Sequence, residues 1–190
     1  MLPPPLPLAP GDQLLHHGTR ADFIVRPVTT ASGKVHTREV VLHPGAVIIL
    51  PVIDDDHIVM IRNQRHTVFE ELLELPAGTL ERDARGNPEN PALCAARELT
   101  EETGYTARTI TPFGWFYTSP GILTEKMFLF AAYDLEKTRQ SLEADEDIEV
   151  RFHQWEEVLQ MIQFGQIQDA KTVAAVLMYD RFVRGAEQVT

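Results

Sequence analysis

The sequence predicts one α/β domain, on three observations. A near-continuous β-branched run at 46–53 has the composition of a strand buried on both faces. An Asn-Pro pair at 90–91 and a glycine at 104 bracket a segment of helical period. Further strand-like segments are interleaved with two more helical ones toward the C-terminus. The length, 190 residues, suits a single domain that buries a core of its own.

In order along the chain, the first ten residues carry five prolines and no basic residue. That composition predicts an extended, mobile arm and not a secretory signal. Residues 11–33 show little periodicity beyond Phe23-Ile24-Val25, whereas 35–42 alternate loosely and predict a strand. Residues 46–53 and 57–62 predict a hairpin about Asp54-Asp55-Asp56, where the aspartates are turn formers rather than a metal site. A short strand at 72–75 stops at Pro76, and 77–88 is a loop. Asn90 caps a helix that starts at Pro91 and runs to Thr103, with Gly104 as its left-handed stop. Strands at 108–116 and 126–135, an acidic loop at 143–149, and helices at 154–164 and 170–183, the last capped by Asp169, complete the order. The chain thus divides into an arm and N-terminal segment over 1–34 and a main domain over 35–190.

Composition removes several function classes. Apolar residues make up 44% and charged residues 24%, as in globular rather than disordered chains. The net charge of −11 argues against nucleic-acid binding, which runs on basic patches. No run reaches the roughly 18 apolar residues of a membrane-spanning helix, so the cytoplasm is the expected compartment. The single cysteine, Cys94, excludes an internal disulfide and reads as a small buried thiol. The seven histidines show no metal-ligand spacing. Phe113, Trp115, Phe116 and Tyr117 fit core positions of a strand better than a base-stacking platform.

Chemistry concentrates on the first helix. On a helical projection Glu98, Glu101 and Glu102 share one face, opposite Leu93, Ala96, Thr100 and Thr103, which are expected toward the core. Like charges at these spacings destabilise a helix by a few tenths of a kcal/mol per pair, and no lysine on that face offsets them. Two readings fit the triad alone: a solvated acidic face, or a set of hard oxygen ligands for Mg²⁺ or Mn²⁺.

The surroundings of the triad read Gly78-x10-Glu89-x7-Arg97-Glu98-Leu99-x-Glu101-Glu102-x-Gly104-Tyr105. This resembles the box of the Nudix hydrolases, with ten residues in the first gap where that box has five, so 82–86 looks like an insertion. Six fixed residues of such a box match by chance on the order of 10⁻⁵ of the time. The motifs Glu74-Leu75-Pro76-Ala77-Gly78, Ile61-Arg62-Asn63-Gln64-Arg65, His43-Pro44-Gly45-Ala46-Val47 and Ser119-Pro120-Gly121 followed by Glu125 resemble the ADP-ribose and nucleoside-diphosphate-sugar pyrophosphatases of that superfamily. So do Glu146-Asp147-Ile148-Glu149-Val150 and Asp169-Ala170-Lys171-Thr172.

The resemblance implies an α/β/α sandwich with a mixed sheet, and hydrolysis of a nucleoside diphosphate sugar, ADP-ribose first, to a nucleoside monophosphate and a sugar phosphate. GDP-mannose, UDP-glucose and a non-catalytic nucleotide-sugar sensor are the alternatives. It implies Mg²⁺, with Mn²⁺ as a substitute, held by the Ala77 carbonyl, Glu98, Glu102 and Glu146, and supported by Glu101. Arg97 would orient a box carboxylate bidentately, Glu89 would hold the loop to the helix, and Gly78 would let the backbone turn the Ala77 carbonyl to the metal. Glu146 is the implied loop base; Glu143 and Asp145 are its substitutes, because a position that holds a base in some relatives is Ala144 here. Arg65, Glu74 and Glu125 are implied substrate contacts. For Arg38 a nucleotide contact and a surface charge remain equally open. The resemblance further implies a homodimer paired through N-terminal strands, with Arg38 reaching the neighbouring site.

Overall fold

The computed structural model describes residues 2–144 and 146–185. Three sheets and three α-helices follow in the order β1 (Gln13–His17), β2 (Asp22–Thr29), β3 (Val35–Leu42), β4 (Ala46–Pro51), β5 (His57–Arg65), β6 (Glu70–Glu74), β7 (Ala77–Thr79), α1 (Pro91–Thr103), β8 (Tyr105–Tyr117), β9 (Lys126–Lys137), β10 (Ile148–Gln154), α2 (Trp155–Gln163) and α3 (Ala170–Tyr179). A π-helical turn, Asp180–Arg184, prolongs α3.

The central sheet is mixed, in the order β7-β4-β9-β8, with β4 and β9 parallel and the other pairs antiparallel. Every residue of β4 is buried, as its β-branched run predicts. Val47 and Ile49 pack on one face against Leu80, Cys94, Ala95 and Leu99, which brings α1 to that side. Ala46, Ile48 and Leu50 pack on the other against Met60 of β5, Leu75, Val158 of α2 and Val176 of α3. These layers make the α/β/α sandwich. The β10-β5-β6 sheet joins the second face, and β1-β2-β3 forms a separate antiparallel sheet around Leu6, Ile24 and Leu42. Among the described residues no helix is long and apolar enough to cross a membrane.

Five local expectations change, the first being that the segment expected as a loop at 77–88 opens with β7, paired to β4. The hairpin at 46–62 is paired only beside its turn, by Val52 and Ile58, because β7 and β9 already occupy both edges of β4. Its tip is a turn, with Asp54 accepting from Asp56 N–H (2.9 Å) and facing His57 (2.8 Å). Residues 11–33 contain two strands, whose sheet has hardly any buried face to impose alternation. The acidic loop gives way to β10 at Ile148, an edge strand beside β5. The proline arm is docked: Leu6 is buried and donates its N–H to Asp22 Oδ2 (2.6 Å). Proline carbonyls have no N–H competing for partners, so the arm offers bare acceptors to whatever donor reaches it. β2 and β3 pair from Asp22–Leu42 to Thr29–Val35, so residues on both sides of 34/35 share one sheet.

Candidate active site

The site grows from α1. Asn90 caps it through a bond from Ala92 N–H (2.9 Å), Pro91 opens it, and Gly104 at φ 70° closes it, as the sequence predicts. The buried stripe is a different one, however. Cys94, Ala95, Glu98, Leu99, Glu102 and Thr103 are buried, whereas Leu93 is 68% exposed. The Glu98–Glu102 side is therefore the inner one, pressed on β4 and β7, and of the residues expected toward the core Thr103 alone is buried, with Leu93 and Ala96 exposed and Thr100 in between.

Burial sets the chemistry of these carboxyls. It pushes Glu98 up to about 7, partly countered by Arg97. It lifts Glu102 well above the usual carboxylate range, reinforced by the Glu98 charge, while the Ala77 N–H bond (2.9 Å) pulls the other way. The neighbouring charge of Glu146 raises both. Two buried carboxyls facing each other's charge want a cation, and oxygen-only donors select a hard one. Gly78 makes the room, since a Cβ there would overlap the Glu98 carboxyl. Its function is this close approach, with no left-handed backbone involved. The residues present thus fit a divalent cation on Glu98 and Glu102, beside which Ala77 lines the cavity. Among the described residues no three His, Cys, Asp or Glu groups converge as a ready ligand set.

Arg97 does not grip one carboxylate bidentately. Its Nη1 reaches Glu98 (2.8 Å) and Glu101 (2.9 Å), and its Nη2 reaches Glu89 (2.8 Å). Three carboxylates outnumber the one cation, so the fork is divided among them. Arg97 Nε is buried without a partner. Glu89 also accepts from Glu81 N–H (2.9 Å), and so ties the loop to the helix. Cys94 is fully buried beside Arg97 (Sγ to Nη2, 3.4 Å), and burial raises its thiol pKa.

These carboxyls open onto a cavity of about 1120 Å³, also lined by Arg97, Glu101, Ala77, Glu146, Arg65, Glu74 and Glu125. That volume holds a ligand of nucleotide-sugar size. Glu146 is turned onto its own loop, accepting from Glu143 N–H (2.9 Å). Asp145 lies outside the described residues. In the same lining Glu74 is fully buried between two cations: Arg65 through Nε (2.7 Å) and Nη2 (2.6 Å), and Lys171 Nζ (2.5 Å). The Glu74 hydrogen bonds raise the Arg65 pKa. Lys171 is held in turn by Asp169 (2.7 Å), the cap of α3. Glu125 accepts from Thr118 Oγ1 (2.7 Å) and lies 3.5 Å from His43.

Arg38 is the exception. It sits exposed on β3, bonded only weakly to the Thr37 carbonyl (3.4 Å), and does not line the cavity. Trp115 and Tyr117 are half exposed and also lie outside it, with Lys126 Nζ over the Trp115 ring (3.9 Å), whereas Phe113 and Phe116 pack on the core. Sequence reasoning gave no role to Lys171, Arg20 or Arg82, all of which line the cavity. Lys171 stood in a motif already singled out, and Arg82 at the head of the insertion. For Arg20 the sequence carries no signal.

The family model for the NUDIX domain matches residues 42–176. This chain belongs to the NUDIX family. An ADP-ribose pyrophosphatase of Bacillus subtilis (strain 168) is 39% identical over 161 residues, 84% of each chain. A GDP-mannose pyrophosphatase of Enterobacter sp. (strain 638) is 33% identical over 167 residues, 80% of this chain and 84% of its own. The crystal structure of an ADP compounds hydrolase, 21% identical, shares the fold at a TM-score of 0.76 over 95% of this chain and 96% of that one. The NUDIX match begins at the last residue of β3, so the arm and nearly all of the N-terminal sheet precede it.

Proposed function

We propose that this NUDIX protein is a divalent-metal-dependent pyrophosphohydrolase that cleaves ADP-ribose, and related nucleoside diphosphate sugars, to a nucleoside monophosphate and a sugar phosphate. The observation that carries the reading is the pair of buried, mutually repelling carboxyls, Glu98 and Glu102, in a cavity that Arg65 and Lys171 also line. The relatives named ADP-ribose and GDP-mannose pyrophosphatases support the substrate class.

Glu98, Glu102 and the Ala77 carbonyl would hold Mg²⁺, or Mn²⁺ in its place, and the bound ion would supply positive charge against the diphosphate. Ala77 N–H fixes Glu102, and Arg97 fixes Glu98 and Glu101, so the donors are oriented before substrate arrives. Glu146 takes the proton of the attacking water, whose oxygen bonds to one phosphorus while the bridging oxygen leaves on the other phosphate. Arg65 and Lys171 face the anionic or hydroxyl-rich end, with Glu74 setting their positions and Glu125 on the adjoining wall.

The active species is a homodimer in which the N-terminal sheet brings Arg38 to the neighbouring cavity. The exposure of Arg38 and its absence from the lining of its own chain's cavity support that arrangement. Light scattering checks it, and a monomeric mass at working concentration would remove the shared site without touching the chemistry. The function itself is tested chromatographically with ADP-ribose, GDP-mannose and UDP-glucose in Mg²⁺. AMP and ribose 5-phosphate are the expected main products, and consumption of none of the three overturns the reading.

A further inference from the structure

The inserted turn at 82–86 is stiff in its own right. Asp83 Oδ1 accepts from Arg85 N–H (2.8 Å) and Asn87 N–H (2.9 Å), and the Asp83 carbonyl accepts from Gly86 N–H (2.9 Å). Gly86 sits at φ 83°, and a Cβ there would approach the Pro5 carbonyl oxygen to 3.3 Å. The insert is thus a preformed shelf, and the proline arm lies on it.

Arg82 binds the two together. Its side chain is 2% exposed, which is unusual for a cation and demands partners. Nη1 donates to the Pro4 carbonyl (2.9 Å) and lies 3.7 Å from Asp22 Oδ2, while Nη2 donates to the Thr19 carbonyl (2.9 Å). Asp22, fully buried, accepts from Leu6 N–H (2.6 Å) and Gly18 N–H (3.3 Å) and faces His17 Nδ1 (2.5 Å). His17 Nε2 donates to the Pro3 carbonyl (2.8 Å). Three separate stretches, the arm, the β1–β2 turn and the insert, therefore meet at one guanidinium.

That junction borders the cavity. Pro3, Thr19, Arg20 and Arg82 all line it, and Arg20 and Arg82 are near enough to His43 that both charges help burial push its pKa down. On the other side the insert runs through Glu81 N–H to Glu89, and so to Arg97 and the carboxylate helix. An anionic substrate lying on Glu98 and Glu102 through a cation would meet the wall that carries Arg20, whose guanidinium lies 3.8 Å from Glu143.

We propose that Arg82 is a positioning residue for substrate binding, which fixes the Thr19–Arg20 wall of the cavity by tying the proline arm and the β1–β2 turn to the insert. The proposal rests on the hydrolase reading above. Its guanidinium is committed to two carbonyls, so its effect on substrate passes through the wall it holds. Loss of the tie loosens the wall and leaves the carboxylates untouched, so it acts on affinity and spares the chemical step.

The test compares the full-length wild type with Arg82→Ala, Arg82→Lys and a chain lacking residues 2–5. Two readouts are taken: KM and kcat on ADP-ribose with Mg²⁺, and hydrogen exchange at Leu6 and over residues 18–22. Arg82→Ala should raise KM about tenfold with kcat within about twofold, and speed exchange in both segments. Arg82→Lys should recover part of the KM, because one ammonium can serve only one of the two diverging carbonyls at a time. The shortened chain, with Arg82 in place, should show a smaller KM rise of the same kind. Faster exchange with an unchanged KM overturns the proposal, as does a fall in kcat at constant KM, which would put Arg82 in the chemistry. A wild type that turns over no nucleoside diphosphate sugar sinks the hydrolase reading and the proposal with it; protected exchange at Leu6 would then still show the tie to be intact, so the two failures are told apart.

Discussion

The carboxyl of Glu98 lies so close over the Cα of Gly78 that no side chain can stand between them. One residue of β7 thereby sets where an acidic group of α1 stops. Gly78→Ala should swing Glu98 away while both elements stay formed, since β7 pairs with β4 through its backbone. Turnover should fall by about 100-fold or more, with stability lowered by about 1–3 kcal/mol from the overlap. Steady-state rates and a urea titration measure the two effects, and wild-type turnover in this variant would show that Glu98 need not occupy its present place.

Glu102→Gln keeps the shape and the acceptor for Ala77 N–H but removes a buried charge. Turnover with Mg²⁺ should drop by orders of magnitude, while the metal-free fold holds its stability or gains some, because helix repulsion and desolvation are relieved. Near-normal rates at saturating Mg²⁺ would refute the ligand role.

The raised carboxyls have a pH signature. Glu98 rises from 4.5 to about 7 and Glu102 also rises, both chiefly through burial. The folded chain then binds protons that the unfolded chain has released, so these groups favour folding at low pH and lose that contribution as pH climbs toward 7 and beyond. The loss amounts to as much as about 3 kcal/mol for Glu98. Asp22, lowered by bonds from His17, Leu6 and Gly18 against its burial, titrates below this window. In EDTA the melting temperature should fall by roughly 5–10 °C between pH 5.5 and 8, and Mg²⁺ should restore it at pH 8. A flat profile in EDTA would contradict the burial cost.

Glu146→Gln should lower kcat far more than substrate affinity if Glu146 receives the water proton. Glu143→Gln serves as the contrast, since Glu143 contributes its backbone N–H to the Glu146 carboxylate (2.9 Å) and that bond survives the substitution. If the Glu143 variant is the crippled one, the base lies three residues earlier than assigned.

Local signals in the sequence carried local structure well. Asn90, Pro91 and Gly104 delimit α1 because capping is decided within a turn of the chain. The β4 run announced a strand buried on both sides for the same reason. What escaped was set by packing at long range. The N-terminal strands show no period because little of that sheet is buried, and β10 begins inside a stretch read as acidic loop. The helical projection set Leu93, Ala96, Thr100 and Thr103 toward the core because apolar content decides such projections, and no projection shows that β7 waits opposite Glu98. The arm looked mobile from its prolines; its partner Arg82 lies 78 residues away from Pro4. Within the site, the box residues are the ones that the resemblance to the Nudix box singles out, whereas the Glu74–Lys171 contact spans 97 residues and only the fold reveals it.

The parallel pairing of β4 with β9 has a consequence for synthesis on the ribosome. Ala46 pairs with Met127, so the most apolar strand leaves the exit tunnel about 80 residues ahead of its long partner. At about 5–20 residues per second, that strand waits several seconds with only the three-residue β7 to cover one edge. During that interval its unpaired edge is open to pairing with neighbouring nascent chains. Overproduction at high translation density should therefore favour inclusion bodies, and slower synthesis at low temperature should favour the folded protein.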